Sequence, residues 1–596
     1  MKSPSLSPWT ILREIVSFQR AGARVWSSPG PGEIFILALL MLAGALLRAA
    51  YLDALLGWPW VRELLLAGDG LAYQRAALEI LAGNPWGVSV SFQDPLYPLF
   101  LAFAIKITGS DLAGPLIIQS ALGLVTALLA WAIGRRMAGP VAGMTAGALA
   151  ALSPVVIFYE GLIEKSPLCM LLFAATAWLL GTGISGGRRG RLVAAGATLI
   201  AAALLRGNIL LLIPVLLAAP LLAGSARIKT ATAVLLLLLG MGLVVGPTVL
   251  RNHVVFGNAA LTAGQAGPNF YIGNNPDNQT GTFAKDPWLQ DDPRFEESDW
   301  TAEAERRAGR QLTSGESSDF WFKEGLRYWR DQPIPATRNV IRKSLLYLAE
   351  FEQPDTHPYL FFRKHFPPLR LPLPGMGPVI VLAVLGVALS LVTWRNRAGE
   401  LLLFFGYAAS VVVFFVLGRY RIVALPLFAA FAGVALAELA RMARHHAVPG
   451  LAASAFVLVL ALLAVNRGDY PETYDWPLFN VALGLMDEGR YEEAEARVTE
   501  GLRAHPDSAL GLELRATLAM NRGDLAEASR ALEGALAYAP DRLSLNLALV
   551  RLRTKEGRGD EAETLLEGLV REDPLNPVLA RQLKALRAGK SGTPPP

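Results

Sequence analysis

Apolar residues run along this chain in blocks, and the blocks have the length of membrane crossings. A helix that crosses the hydrocarbon core takes about 20 mostly apolar residues. Eleven stretches reach or approach that length: 33–53, 114–134, 140–158, 167–184, 191–205, 207–223, 230–250, 376–394, 399–417, 421–440 and 449–466. A further run, 94–109, is shorter, and such runs often lie at the interface rather than cross it. Between the blocks the pattern turns amphipathic. Residues 69–81 set Tyr73, Ala76, Ala77, Ile80 and Leu81 on one helical face behind a lone acid, Asp69. Apolar spacing also predicts helices near 299–330 and 334–352.

From about residue 473 the pattern changes. Gly489, Gly523 and Gly557 recur 34 residues apart, as do Ala494, Ala528 and Ala562, and Pro506, Pro540 and Pro574. Each unit reads as two helices with a glycine turn and a closing proline. The tail resembles tetratricopeptide repeats, three of them, with a final helix at 577–588 as cap.

Composition agrees with a polytopic membrane protein. Of 596 residues 53% are hydrophobic and 18% charged, too little polar surface for a soluble chain of this size. The basic clusters Arg135-Arg136, 186–191, 226–229, 394–397 and 441–446 alternate with the apolar blocks. Placing them all in the cytoplasm satisfies the positive-inside rule. That topology puts the N-terminus inside and everything after 466 outside, in an inner (plasma) membrane, and it makes 94–109 a short helix on the outer face. The expected organisation is an amphipathic cytoplasmic segment (1–32), a membrane module with a large first outer loop (33–250), a second large outer loop (251–375), further spans (376–466) and an extracytoplasmic repeat domain (473–590). No cleaved signal peptide is expected. The single cysteine, Cys169, excludes an intrachain disulfide and a Cys-based metal site. The net charge of +5 is modest and spread between spans, so no nucleic-acid partner is expected. A phosphate-cradling glycine loop is missing from the sequence, which leaves nucleotide-sugar or ATP use unsupported.

The candidate chemistry collects on the outer side. Asp69 follows the first span; it reads either as the N-cap of its helix or as a catalytic acid or base. The outer turn after residue 158 carries Glu160, Glu164 and Lys165. Arg419 and Arg421 sit between spans on the outer side, against the topological trend, which points to a local anion. Arg206 sits at another outer turn and is a second phosphate candidate. Tyr73, Tyr420, Asn274 and Asn275 offer aromatic and amide groups to sugar hydroxyls, although Gly273-Asn274-Asn275-Pro276 is also turn chemistry. By ligand type Asp69, Glu160 and His357 suit a divalent ion; none is assigned.

The order of segments carries a resemblance. A first span, Asp69 before an amphipathic helix with Tyr73, "DPLYPLFLA", "SPVVIFYEGLIEKSPLCMLLF", "LLRGNILLLIPVLL", "PNFYIGNNPDNQTGTF" and "GRYRIVALPLFAAFAG" follow one another as in GT-C glycosyltransferases. Glycosyltransferase family 39 is the nearest resemblance, with its protein O-mannosyltransferases and lipid A aminoarabinose transferases. It covers roughly residues 33–440. It implies an all-α membrane bundle that takes a sugar from a polyprenyl-phosphate donor on the extracytoplasmic side. It gives the role of base to Asp69 and of a second acid to Glu160 or Glu164, with the two left open because Ser166 precedes the proline here. The expected function is an inverting transfer to a hydroxyl of a protein or glycan. Rival expectations are a lipid-linked glycan ligase or a non-catalytic scaffold working through its repeats. The tail is expected to fold as its own unit and to hold an acceptor protein, so that removing 473–596 spares transfer to a small acceptor.

Overall fold

The computed structural model describes residues 28–84, 95–223, 228–256, 265–284, 286, 288–289, 296–465, 476–539, 543–572 and 577–591. The amphipathic reading of the N-terminal segment, the residues before Pro95 in the "DPLYPLFLA" motif and the linker 466–475 lie outside them. Every regular element among the described residues is helical.

The membrane module begins with α1 (Pro31–Leu56), α2 (Val61–Leu65), α3 (Asp69–Leu81) and α4 (Leu96–Thr108). The expected short helix thus forms with 13 residues, closed by Gly109 in a left-handed conformation (φ +68°). Then come α5 (Ala113–Ala138), α6 (Pro140–Leu152), α7 (Pro154–Glu160), α8 (Ser166–Gly186), α9 (Arg189–Ala203), α10 (Ile213–Leu222) and α11 (Thr230–Phe256). Among the described residues six helices are long and apolar enough to span a membrane, or seven if α6 and α7, bent by 50° at their junction, are one span. The bend has a local cause: Ser153 ends α6 in extended conformation, caps α7 through its hydroxyl, and Pro154 starts the new helix. Of the eleven stretches, 191–205, 207–223, 376–394 and 399–417 also become apolar helices, but shorter ones.

Between the two groups of apolar helices come α12 (Ala266–Gly273), α13 (Glu296–Ala308), α14 (Ser314–Asp331), α15 (Pro333–Tyr347) and α16 (Tyr359–His365). The helices expected near 299–330 and 334–352 are α13, α14 and α15. Helices α13 and α14 pack on a core of Tyr271, Trp288, Trp300 and Trp321, where the Trp321 indole donates to the Trp300 carbonyl at 2.9 Å. Buried Lys343 ties these helices to the bundle by donating to Gly273 O (3.0 Å) and Phe414 O (2.8 Å). Burial lowers its amine to a pKa of about 8.

Returning to the bundle, α17 (Met376–Val392), α18 (Ala398–Val412), α19 (Gly418–Arg421), α20 (Leu425–Arg444) and α21 (Val448–Val465) complete the module. Helix α20 is almost wholly buried and runs against α5, α6 and α17. Small residues permit the contact: a Cβ on Gly386 would strike the Phe431 carbonyl.

The repeats follow as α22 (Trp476–Asp487), α23 (Tyr491–Ala504), α24 (Ala509–Arg522), α25 (Leu525–Tyr538), α26 (Leu543–Lys555), α27 (Gly559–Glu572) and the cap α28 (Pro577–Ser591). The periodic glycines sit at φ +76°, +85° and +75°, where a side chain would be strained. The periodic alanines are fully buried between helices. The first repeat shares its apolar core with the membrane module, through Leu478, Phe479, Val481 and Leu485.

Candidate active site

Asp69 opens α3, and Gly68 rather than the acid takes the cap position, at φ +59°. An acid in the first turn is favoured by the helix dipole. Its Oδ2 accepts from Arg419 Nη1 at 2.7 Å, and Nε of the same guanidinium lies 2.7 Å from Asp355 Oδ2. One arginine of α19 therefore joins a carboxylate at the start of α3 to a carboxylate of the loop before α16. The cleft around them, open to solvent, is lined by Ala67, Asp69, Gly70, Tyr159, Leu162, Ile163, Glu164, Asp355, Thr356, His357 and Arg419.

The two glutamates of the second loop part company. Glu160 ends α7 facing inward, where Arg48 of α1 grips it at 2.7 and 2.9 Å; neither side chain meets solvent. Gln119 fixes the following turn by donating to the Glu160 and Leu162 carbonyls at 3.0 and 2.8 Å. After that turn Glu164 faces the cleft. It accepts from the Ser166 amide (2.6 Å) and from Arg206 (3.0 Å), and Arg206 also bonds the Ser166 hydroxyl. Arg206 stacks 4.5 Å over the Tyr420 ring.

Other candidates lie further off. Arg421 is buried and bonds Glu352, Phe351 O and Ala349 O, which holds the chain after α15. Tyr73 is 1% exposed and packs edge-on against Tyr97 at 5.0 Å. Asn274 donates to Phe270 O and Val413 O at 2.8 Å, and Asn275 accepts from the Asp277 and Asn278 amides at 2.9 and 2.8 Å. Both amides are therefore spent on the turn and its attachment to the bundle.

Charge in the cleft is uneven. Burial alone would raise the Asp69 carboxyl, but Arg419, with Lys165 and Arg206, more than offsets this and holds it below the usual carboxylate value. Glu296, at the start of α13, has the opposite fate. Burial and the neighbouring Asp69 and Asp355 charges outweigh Arg419 and push it up to about 7. The His357 ring, 2.9 Å from Leu64 O, is lowered by burial. Among the described residues no three His, Cys, Asp or Glu side chains gather as a metal site; Glu160 is held away from Asp69 and His357 by Arg48.

Residues 92–250 match the family described as dolichyl-phosphate-mannose-protein mannosyltransferase. This segment is a GT-C glycosyltransferase domain. Residues 482–528 and 519–586 match tetratricopeptide repeats. Nothing among curated proteins matches the chain. Among solved structures, the apo oligosaccharyltransferase of Archaeoglobus fulgidus is similar at 12% identity and a TM-score of 0.43, over 77% of this chain and 59% of that one. The archaeal oligosaccharyltransferase AglB from the same organism, with an inhibitory peptide and a dolichol-phosphate, gives 12%, 0.43, 78% and 59%. This chain thus spans less than two thirds of the length of either. Within the GT-C domain fall Glu160, Glu164 and Arg206; Asp69 precedes it, and Asp355 and Arg419 follow.

Asp355, Thr356 and Glu296 are cleft or near-cleft residues that sequence reasoning passed over. The segment "EQPDTHPY" around Asp355 has no periodicity, and the only signal it offers is an acid and a histidine flanked by prolines in an outer loop.

Proposed function

We propose that this protein transfers a sugar from a polyprenyl-phosphate donor to a hydroxyl of a protein or glycan acceptor on the extracytoplasmic face. The observation that carries the reading is the single arginine, Arg419, shared by Asp69 and Asp355 at the cleft. A guanidinium bound to carboxylates can exchange them for phosphate oxygens of similar geometry. The donor phosphate takes Arg419, and the positive charge that depresses the Asp69 pKa is then spent on the phosphate. Asp69 becomes a stronger base once the donor is in place. The acceptor oxygen attacks C1, its proton passes to the Asp69 carboxylate, and the C1–O bond breaks with its electron pair left on the lipid phosphate. One displacement inverts C1. Arg419 and the positive field of Lys165 and Arg206 stabilise the leaving phosphate. The description of the matched family, a dolichyl-phosphate-mannose donor and a protein acceptor, supports both partners.

The sidedness is supported by where the charges meet. Arg397 donates to Met137 O at 3.0 Å and pairs with Glu438, and Arg136 pairs with Glu400. Arg441 pairs with the same Glu438 at 2.9 Å, so three of the basic clusters converge at one end of the bundle. Helix α5 carries Arg135-Arg136 there, and its other end adjoins Asp111, which pairs with Arg62 on the cleft side. Its 26 residues span about 39 Å at 1.5 Å each. Basic end inside and cleft outside satisfies the positive-inside rule, with the N-terminus cytoplasmic and the repeats outside.

The test is an assay of the purified full chain with radiolabelled polyprenyl-phosphate monosaccharides and a peptide or glycan acceptor. Label appearing in the acceptor with inverted C1 is expected. Transfer confined to lipid-linked oligosaccharides would replace the reading with a glycan ligase, and no transfer from any lipid donor would favour a scaffold.

A further inference from the structure

The first repeat reaches the cleft from outside the membrane module. Trp476, the first residue of α22, donates its indole N–H to the Thr356 carbonyl at 3.0 Å. Thr356 lines the cleft and abuts Gly68: a Cβ on Gly68 would stand 3.0 Å from the Thr356 hydroxyl. Gly68 is left-handed at φ +59°, and Asp69 is the next residue. The second route runs through α2. Arg490 pairs with Glu63 at 3.3 Å, Glu493 accepts from the Trp60 indole at 3.3 Å, and the Arg497 guanidinium lies 4.3 Å over the same ring. Gly484 of α22 faces Glu63 so closely that a Cβ there would lie 3.0 Å from the Glu63 Cβ. The Glu63 side chain is 8% exposed and Arg490 38%, so the pair sits at the rim of the contact between α2 and the repeat.

These contacts fall on the two segments that hold the acids of the cleft, 60–69 and 355–357. A repeat that served only to carry a partner would have no need of either. We propose that the first repeat is a positioning element of the active site, with Trp476 and Arg490 as positioning residues that set Asp69 against Arg419 and Asp355. The proposal rests on the reading of Asp69 as base. It also gives the repeat array a mechanical line to the chemistry: a polypeptide seated on the array bears on the wall that carries Asp69.

The test uses the full chain. Trp476→Phe keeps an aromatic ring and loses the N–H donor together with one ring of the indole. The expected result is a kcat lower by about tenfold, since small misplacements of a catalytic group cost one to two orders of magnitude. The donor KM is expected to change by less than about twofold, because Arg419 is untouched. The second measurement is a cross-link. Glu63→Cys with Gly484→Cys places two Cβ atoms 3.0 Å apart, so a small parting of α2 and α22 brings them to the roughly 3.5–4.5 Å of a disulfide, and the one native cysteine, Cys169, is buried. On mild oxidation the pair is expected to close and, when combined with Trp476→Phe, to raise kcat above that of the same protein reduced. Parental kcat in Trp476→Phe, a pair that does not close, or a closed pair that fails to rescue would each overturn the proposal. A parent that transfers no sugar from any lipid donor is a different result: it overturns the reading of Asp69 as base and the proposal with it, even where the cross-link closes.

Discussion

Glu160 and Glu164 stand four residues apart, yet the fold gives them different work. Glu160 lies under Gly123, where a Cβ would collide with its carboxylate, and is clasped by Arg48. Removing one partner of such a pair strands a buried charge, at a cost of roughly 3–5 kcal/mol. Arg48→Met is therefore expected to lower the melting temperature and the yield of folded protein. Glu164→Gln keeps an acceptor for buried Arg206 and the Ser166 amide, so it is expected to lower melting less than Arg48→Met and to reduce kcat more, which thermal melts and kinetics on the same two variants would separate. The sequence could not choose between these acids, because the choice depends on which side of one turn each falls. Glu296 yields a pH prediction. Its carboxyl is neutral below about 7 and charged above. Above that pH it adds a negative charge beside Asp69, Asp355 and Arg419, with Asp299 also near. The donor KM is expected to rise between about pH 6 and 8, and Glu296→Gln to flatten that rise in a KM–pH profile.

Helices were the legible part. The period of the tail fixed its turns because only glycine sits easily at positive φ, and the three glycines at Gly489, Gly523 and Gly557 all do. The apolar blocks located the spans for the same kind of reason: backbone groups in hydrocarbon must pair within a helix. What the helices do to one another was not legible. Nothing in α22 announces that Gly484 meets Glu63, or that Trp476 meets Thr356 across 120 positions. That contact changes the expectation for the tail. Deleting 476–596 uncovers α2 and frees the segments behind Asp69. Loss of at least about tenfold in kcat is expected even with a small acceptor, where the sequence alone suggested that such transfer would be spared. Small-acceptor kcat near the parental value in a folded truncation would restore the earlier view.

At the scale of the whole molecule the site is assembled from distant parts. Asp69 and Arg419 were each conspicuous in the sequence, one as an acid after the first span and the other as a cation on the wrong side. Their pairing across 350 residues was not, since it follows from α1 ending, and α20 beginning, on the same face of one bundle. Arg421, two residues on, looked equivalent and instead points inward to Glu352. The fold thus turns two isolated signals into one cleft, with a cation to exchange for phosphate and an acid to receive a proton. The most direct measurement of that claim is single-turnover sugar transfer by Asp69→Asn, with donor binding measured on the same sample. The amide keeps the size of the side chain and removes the basic oxygen. Donor binding within a few-fold of the parent and transfer slower by about a hundredfold or more are expected. Near-parental transfer by a folded Asp69→Asn protein would contradict the account.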